Sequence, residues 1–371
     1  MTIKVWDYIE EYKENKDEIL KTVDEVFSSG WLILGDAVKS FEENFSSYCS
    51  AEYGIGVDNA TNGLFLALKA LGIGKGDEVI SVSNTAVPTI SAIVSAGATP
   101  IFVDIDDDTY QLNTSLLEEA ITPSTKCILP VHLYGQCVDM DPIIQIARER
   151  SLYIVEDCSQ AHGAKYKGKP AGSMSDLAVF SFYPTKPLGG FGDGGMVLTS
   201  NKDLRDKMKR LRFYGMEKTY YAEEHGYNAR LDEVHAAILL KKLIKLDASN
   251  DKRRALAKRY DEVLGTTSLK LPVKSVFNEH VYYLYVARHK ERDRIISELK
   301  KKDIFLNVSY PWPIHTMRGY SYLGYQEGDL PNTEKASKEI FSLPMYTTLR
   351  FEQQDVVCSA LSEILGDSIS L

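Results

Sequence analysis

A chain of 371 residues with 44% apolar and 26% charged residues has the composition of an ordinary globular protein, long enough for two domains. Its formal net charge of −9 argues against nucleic acid as the main partner, because gripping a phosphate backbone needs a clustered basic surface. The most apolar region, 79–103, is interrupted by Asn84, Pro88 and Pro100, so it reads as strand, helix and strand and not as a membrane span.

Asp7, Glu10 and Glu11 occupy the positions where a signal peptide needs an apolar run. The five cysteines, Cys49, Cys127, Cys137, Cys158 and Cys358, fall at irregular spacings without a Cys-x-x-Cys pair and read as the reduced thiols of a cytoplasmic protein. In chain order, 15–29 is an amphipathic helix ending at Gly30, and a second helix carries Val38, Phe41 and Phe45. From about Tyr53 short apolar strands (55–57, 79–82, 101–103, 127–131, 153–155) alternate with helices (62–71, 88–97, 114–120, 141–150). That alternation predicts a mostly parallel α/β sheet with helices on both faces. Beyond 200 come a basic helix at 202–211, a Tyr-, Glu- and Gly-rich loop at 212–228 and a long helix at 230–263. A strand-like run at 281–287, a helix at 290–302, the loop Tyr310-Pro-Trp-Pro-Ile-His315 and helices near 333–341 and 352–365 follow. This pattern predicts a large domain over 1–250 and a smaller α+β domain over 251–371.

Three stretches carry chemistry. Two strands, 177–182 and 196–199, bracket a loop in which Lys186 stands between Pro184 and Pro187, followed by Gly189, Gly190, Gly192, Gly194 and Gly195; this presents the lysine on restrained backbone. The glycines fit G-x-G-x-x-G, but a dinucleotide site needs a helix directly after them, and a strand follows here. Asp157 and Gln160 leave the end of an apolar strand, where open α/β sheets bind ligands; Asp157 either holds a buried cation or caps the next turn. The turn 56–63 before a helix is either an anion cradle, with Asn59 and Thr61 beside free N–H groups, or a simple N-cap by Asn59. A lysine, an acid and a phosphate cradle together are what pyridoxal 5′-phosphate requires.

With Gly35-Asp-Ala-Val-Lys-Ser-Phe-Glu, Val131-His-Leu-Tyr-Gly-Gln136, Glu156-Asp-Cys-Ser-Gln-Ala-His-Gly-Ala164, Phe180-Ser-Phe-Tyr-Pro-Thr-Lys186 and Gly226-Tyr-Asn-Ala-Arg-Leu-Asp232 in this order and spacing, the chain resembles the nucleotide-sugar aminotransferases related to DegT, DnrJ, EryC1 and StrS. The resemblance implies an aspartate aminotransferase-like (fold type I) large domain with a mostly parallel mixed sheet. It also implies pyridoxal phosphate, passing through its pyridoxamine form, and glutamate as amino donor. Lys186 would be the Schiff-base lysine, Asp157 the partner of the pyridinium nitrogen and Gln160 that of the ring hydroxyl. Ser181, Thr61 and the backbone of Ala60 would hold the phosphate. Asn228 would reach it from the other subunit of a homodimer with shared active sites. His315 and Tyr183 would lie near the sugar.

Tyr-Pro-Thr-Lys followed by Gly-Asp-Gly-Gly is closer to relatives acting at C3 of a dTDP-3-keto-6-deoxyhexose; amination at C4, or a non-catalytic regulatory protein on the same scaffold, is the alternative. No metal is required. Three departures from relatives are visible: Ala86 where many carry an aromatic residue over the cofactor ring, Asn59-Ala60-Thr61 where many have Ser-Gly-Thr, and Pro187 in place of asparagine. The acids Asp104, Asp106, Asp107 and Asp108 read as a solvated loop, and the cluster from Arg205 to Arg212 as a solvated helix face. His132 reads either as a substrate contact or as a satisfied strand-end histidine.

Overall fold

The computed structural model describes residues 2–369. Its centre is a seven-stranded sheet of β1 (Tyr53–Val57), β2 (Glu78–Val82), β3 (Thr99–Val103), β4 (Thr125–Ile128), β5 (Tyr153–Asp157), β6 (Leu177–Ser181) and β7 (Gly195–Thr199). The spatial order is β1-β7-β6-β5-β4-β2-β3. All are parallel except β7, which runs antiparallel to both β1 and β6. Buried strands on both faces of a parallel sheet read as continuous apolar runs, and β6, Leu-Ala-Val-Phe-Ser, is buried at every position. Parallel neighbours need a crossover, usually a helix, whereas antiparallel ones can be joined directly. The glycine-rich loop 182–194 is such a direct return, and it puts β7 back beside β6.

Helices flank the sheet: α1 (Ile9–Ser29), α2 (Asp36–Tyr48), α3 (Ala60–Ala70), α4 (Val87–Ala96), α5 (Met140–Arg150), α6 (Lys202–Leu211), α7 (Glu233–Leu243) and α8 (Leu246–Leu264). The long helix expected at 230–263 is therefore two, separated by Ile244 and Lys245. Ile244 is largely exposed there while Leu246 turns back into the core. The expected helix at 114–120 is only a 3-10 turn and one α turn, and the 212–228 loop contains a small hairpin, Met216–Lys218 with Tyr221–Ala222.

A second apolar core gathers Leu256 and Tyr260 of α8, Tyr285 of β8 (Tyr285–Arg288), Leu299 of α9 (Arg292–Lys301), Phe341 of β9 (Ile340–Leu343) and Leu361 of α11 (Phe351–Leu365). The helix before β9 is α10 (Pro331–Glu339). Ile3 belongs to this second core as well, because the two-residue strand Ile3–Lys4 pairs in parallel with Ile304–Phe305. The two cores are tied by the acids expected in a solvated loop. Buried Asp104 accepts the Asn332 and Thr333 N–H groups at the start of α10, and Asp107 pairs with Arg288 and Lys270. Arg212, expected on a solvated helix face, is also buried, paired with Glu42 and donating to the Gly56 carbonyl at 2.7 Å. No helix among the described residues is long and apolar enough to cross a membrane.

Candidate active site

The strand order reverses between the neighbouring strands β2 and β4, and the ends of β1, β2, β4, β5 and β6 deliver the chemistry-bearing side chains to one edge of the sheet, as expected for an open α/β sheet. At the end of β5, Asp157 is 3% exposed. Its Oδ2 accepts from the Thr89 hydroxyl at 2.8 Å and its Oδ1 from the Ser159 N–H at 3.1 Å. Thr89 lies in the first turn of α4 and is itself bonded to Thr85, 3.0 Å away. The carboxylate is thus anchored by the strand β2 loop as well as by its own turn.

Gln160 is held from the other side. Its Oε1 accepts from the Tyr134 N–H at 2.8 Å and its Nε2 donates to the Tyr310 hydroxyl at 3.1 Å. Tyr134 adopts φ 60°, a conformation few side chains favour, and its phenol donates to the Ser309 carbonyl. With the oxygen spent on Tyr134, the group Gln160 offers outward is a donor.

Lys186 sits half-buried on a loop pinned at both ends, its own N–H bonded to the Tyr183 carbonyl at 2.9 Å and the Gly190 N–H to Phe182 at 2.8 Å. Gly189 is required, since a Cβ there would stand 2.3 Å from the Pro184 carbonyl oxygen. The Lys186 amine lies 4.6 Å from the centroid of Tyr283, whose hydroxyl is 3.0 Å from Thr185. Burial raises the Tyr310 phenol pKa, and the neighbouring Tyr283 and Asp157 raise it further. Tyr283 and Tyr310 therefore connect the lysine to the Asp157–Gln160 pair. Neither tyrosine is marked by a motif; Tyr310 belongs to the Pro-Trp-Pro-Ile-His loop, and only its position in the folded chain reveals it.

At the start of α3 the N-cap reading holds. Asn59 is an N-cap, its side chain accepting from the Asn62 N–H at 2.8 Å, and the Asp58 carboxylate takes the Asn59 N–H at 3.0 Å. The N–H groups of Ala60 and Thr61 remain without partners among the described residues, at the positive end of the helix dipole. Gly195 faces them: a Cβ there would lie 2.8 Å from the Asn59 carbonyl carbon and 2.9 Å from the Ala60 nitrogen. Its partner across the β6–β7 ladder is Ser181. Gly195 thus brings Ser181 beside the unpaired N–H groups of Ala60 and Thr61, a set of donors that suits a phosphate. Together with the buried Asp157 carboxyl group and the Lys186 amine, the residues fit pyridoxal phosphate.

The remaining candidates divide. Asn228 is exposed, bridged to Phe213, and makes no contact with this cradle within its own chain. Tyr183 is 52% exposed beside Lys186. His315 is 1% exposed, with Nδ1 2.8 Å from the Ser83 hydroxyl and Nε2 3.1 Å from Glu334, so both ring nitrogens are engaged within the protein. His132 is the satisfied strand-end histidine: Nε2 is 2.8 Å from Glu156 and Nδ1 accepts the Val138 N–H. Burial pushes the Glu156 carboxyl up, but hydrogen bonds from His132, Gly172 and Ser175 outweigh it and hold the group below the usual range. His162, which no sequence argument assigned, is wholly buried among Phe45, Phe180 and Phe182 with neither ring nitrogen bonded. Burial lowers its pKa to about 3.

Known proteins resemble this chain over nearly its full length. A dTDP-3-amino-3,4,6-trideoxy-alpha-D-glucose transaminase of Micromonospora megalomicea subsp. nigra is 51% identical over 98% of this chain and 99% of its own. A protein of Geobacillus stearothermophilus described as a pleiotropic regulatory protein is 42% identical over 98% of both. The crystal structure of S. venezuelae DesV in complex with a ketimine intermediate superposes with a TM-score of 0.97 at 39% identity, covering 99% of each chain. Other solved structures with this fold hold the cofactor in its PLP and PMP forms. The sequence profile of the DegT/DnrJ/EryC1/StrS aminotransferase family matches residues 13–362, and with the lysine, acid and cradle assembled on its fold this chain belongs to that family of pyridoxal phosphate-dependent enzymes.

Proposed function

We propose that the protein transfers the amino group of glutamate to C3 of a dTDP-linked 3-keto-6-deoxyhexose, giving a dTDP-amino-dideoxyhexose. One observation carries the reading: Lys186, the doubly anchored Asp157 and the unpaired Ala60 and Thr61 N–H groups meet at one sheet edge. The 51% identity to a dTDP-sugar 3-transaminase supports the choice of sugar carbon and nucleotide.

When bound, pyridoxal phosphate supplies an electron sink that makes the donor's α-proton acidic. The chain's own residues do the rest. Ala60, Thr61 and Ser181 would hold the phosphate, and Asp157, fixed in place by Thr89 and Ser159, would pair with the ring nitrogen. Gln160, fixed as a donor by Tyr134, would face the ring hydroxyl. The Lys186 amine takes the proton from the donor's α-carbon and later delivers one to the aminated sugar carbon. Pro184, Pro187 and the bond to Tyr183 keep that amine from wandering. Ala86 offers no ring for stacking.

Asn228, exposed and idle in its own chain, supports a homodimer in which each copy completes the other's phosphate site. Tyr183, on the open side of the lysine loop, suits a sugar contact, while His315 would act by shaping the Pro-Trp-Pro loop. Five free, buried cysteines suit a cytoplasmic location.

The regulatory description of the Geobacillus relative keeps a second reading, a sensor on the same scaffold, worth testing. Purified protein incubated with glutamate should lose its near-visible absorbance band. With a panel of 3-keto and 4-keto dTDP-sugars, NMR should then place the new nitrogen at C3. Lys186→Ala should abolish exchange; an undiminished rate in that variant would remove the basis of the proposal.

A further inference from the structure

Lys186 borders a second space. A cavity of about 290 Å³ opens between α1, the turn joining α7 to α8 and residues 346–348, and Lys186 lines it together with Arg253 and Tyr346. Its size is roughly ten times the ~30 Å³ share of a water molecule, room for a small amino acid. Arg253, on α8, is 5% exposed. Its Nη1 donates to the carbonyl oxygens of Met345 at 3.0 Å and Tyr283 at 3.5 Å. Its Nε is buried without a partner, and no carboxylate among the described residues forms an ion pair with it. A buried guanidinium bonded only to backbone carbonyls is a costly arrangement for a fold to keep, and a bound anion would offset that cost.

The charges around the cavity point the same way. Glu11 is committed to Lys242 at 2.6 Å and Glu18 to Lys245 at 2.9 Å. Lys241 and Lys252, both exposed, line the mouth without ion pairs, against the single uncommitted carboxylate of Glu14. The cavity thus has a dry positive end at Arg253 and a wet positive rim. A planar guanidinium fork is also the group best shaped to hold a carboxylate.

We propose that this cavity seats the dicarboxylic amino donor, its α-carboxylate on Arg253 and its side-chain carboxylate toward Lys241 and Lys252, so that its amine lies beside Lys186. The assignment rests on the transaminase reading and adds where the donor binds. The test uses the cofactor-loaded enzyme and follows the two half-reactions separately by absorbance, one with glutamate and one with the keto-sugar. Arg253→Met should raise the glutamate concentration for half-maximal rate at least tenfold and leave that for the sugar within about twofold, and Arg253→Lys should recover part of the loss. Glutarate, which has both carboxylates and no amine, should compete with glutamate on the unmodified enzyme. Unchanged glutamate dependence in Arg253→Met, equal loss in both half-reactions, or a defect confined to the sugar would each overturn the assignment. If Arg253→Met does not fold, the glutarate result decides, and absence of competition refutes it. Should the unmodified enzyme fail to respond to glutamate at any concentration, the transaminase reading itself falls instead.

Discussion

Replacing Gly195 by alanine tests whether the phosphate cradle depends on backbone contact between β7 and α3. The added methyl would stand 2.8 Å from the Asn59 carbonyl carbon, 2.9 Å from the Ala60 nitrogen and 3.0 Å from the Asn59 oxygen, all backbone atoms. Ordinary contact begins near 3.5 Å, so one side must retreat by roughly half an ångström or more. β7 cannot readily do so, because Gly195 is paired with Val57 on one side and Ser181 on the other. The start of α3 has to move, carrying the free Ala60 and Thr61 N–H groups out of line. Overpacking of this kind costs about 1–3 kcal/mol. Where that strain falls on the cradle, it weakens cofactor binding by about 5- to 150-fold, since 1.4 kcal/mol is a factor of ten. The dissociation constant of pyridoxal phosphate, measured by fluorescence titration, should rise accordingly. The Gly319→Ala control, with no heavy atom within 4 Å of its new methyl, should bind as the parent does. A Gly195→Ala protein that binds the cofactor with parental affinity would refute the argument.

Three further outcomes follow from the geometry. Thr89→Val keeps the shape of the side chain but strips Asp157 Oδ2 of its hydroxyl donor, so the folded protein should lose about 1.5–3 kcal/mol by denaturant titration, while Thr89→Ser should stay close to the parent. His162 and His280 have folded-state pKa values lowered to about 3 by burial, well below their unfolded value. As pH falls below about 6.5 the unfolded chain therefore takes up protons that the folded chain refuses, and stability should drop by about 1.4 kcal/mol per histidine at one pH unit lower. Carboxylates titrate below that window, so His162→Leu, which leaves His280 in place, should roughly halve the fall of the unfolding midpoint between pH 7.5 and 5.5. Tyr134→Phe should free the left-handed Tyr134 backbone and with it Gln160, lowering thermal stability and weakening cofactor binding together.

The parts of the fold that local pattern controls were readable in advance. Every apolar run of the central sheet became a strand, the run expected at 281–287 is a strand only over Tyr285–Arg288, and the basic helix at 202–211 has the bounds Lys202–Leu211. Loop glycines, a proline-flanked lysine and an acid at a strand end marked Lys186 and Asp157, because each reflects chemistry at its own position. What stayed hidden depends on partners distant in sequence. That β7 inserts between β1 and β6 is a matter of which edge the returning strand meets. Periodicity continues through Ile244, so the break between α7 and α8 left no mark in the sequence. Thr89 looks like any helix residue until its hydroxyl is found on Asp157. The family resemblance points His315 toward the sugar, and the sequence carries no sign that Ser83 and Glu334 engage both of its ring nitrogens. Tyr283 and Tyr310 gain meaning only from the lysine and glutamine they meet.

The short pairing of Ile3–Lys4 with Ile304–Phe305 has a consequence for biosynthesis. A ribosome adding 5–20 residues per second needs about 15–60 s to travel from one partner to the other. Through that interval the strand Ile3–Lys4 has no mate, and Ile3, buried at completion, lies bare. An amino-terminal fusion that hampers this late docking should slow maturation of the second core while the central sheet forms on schedule.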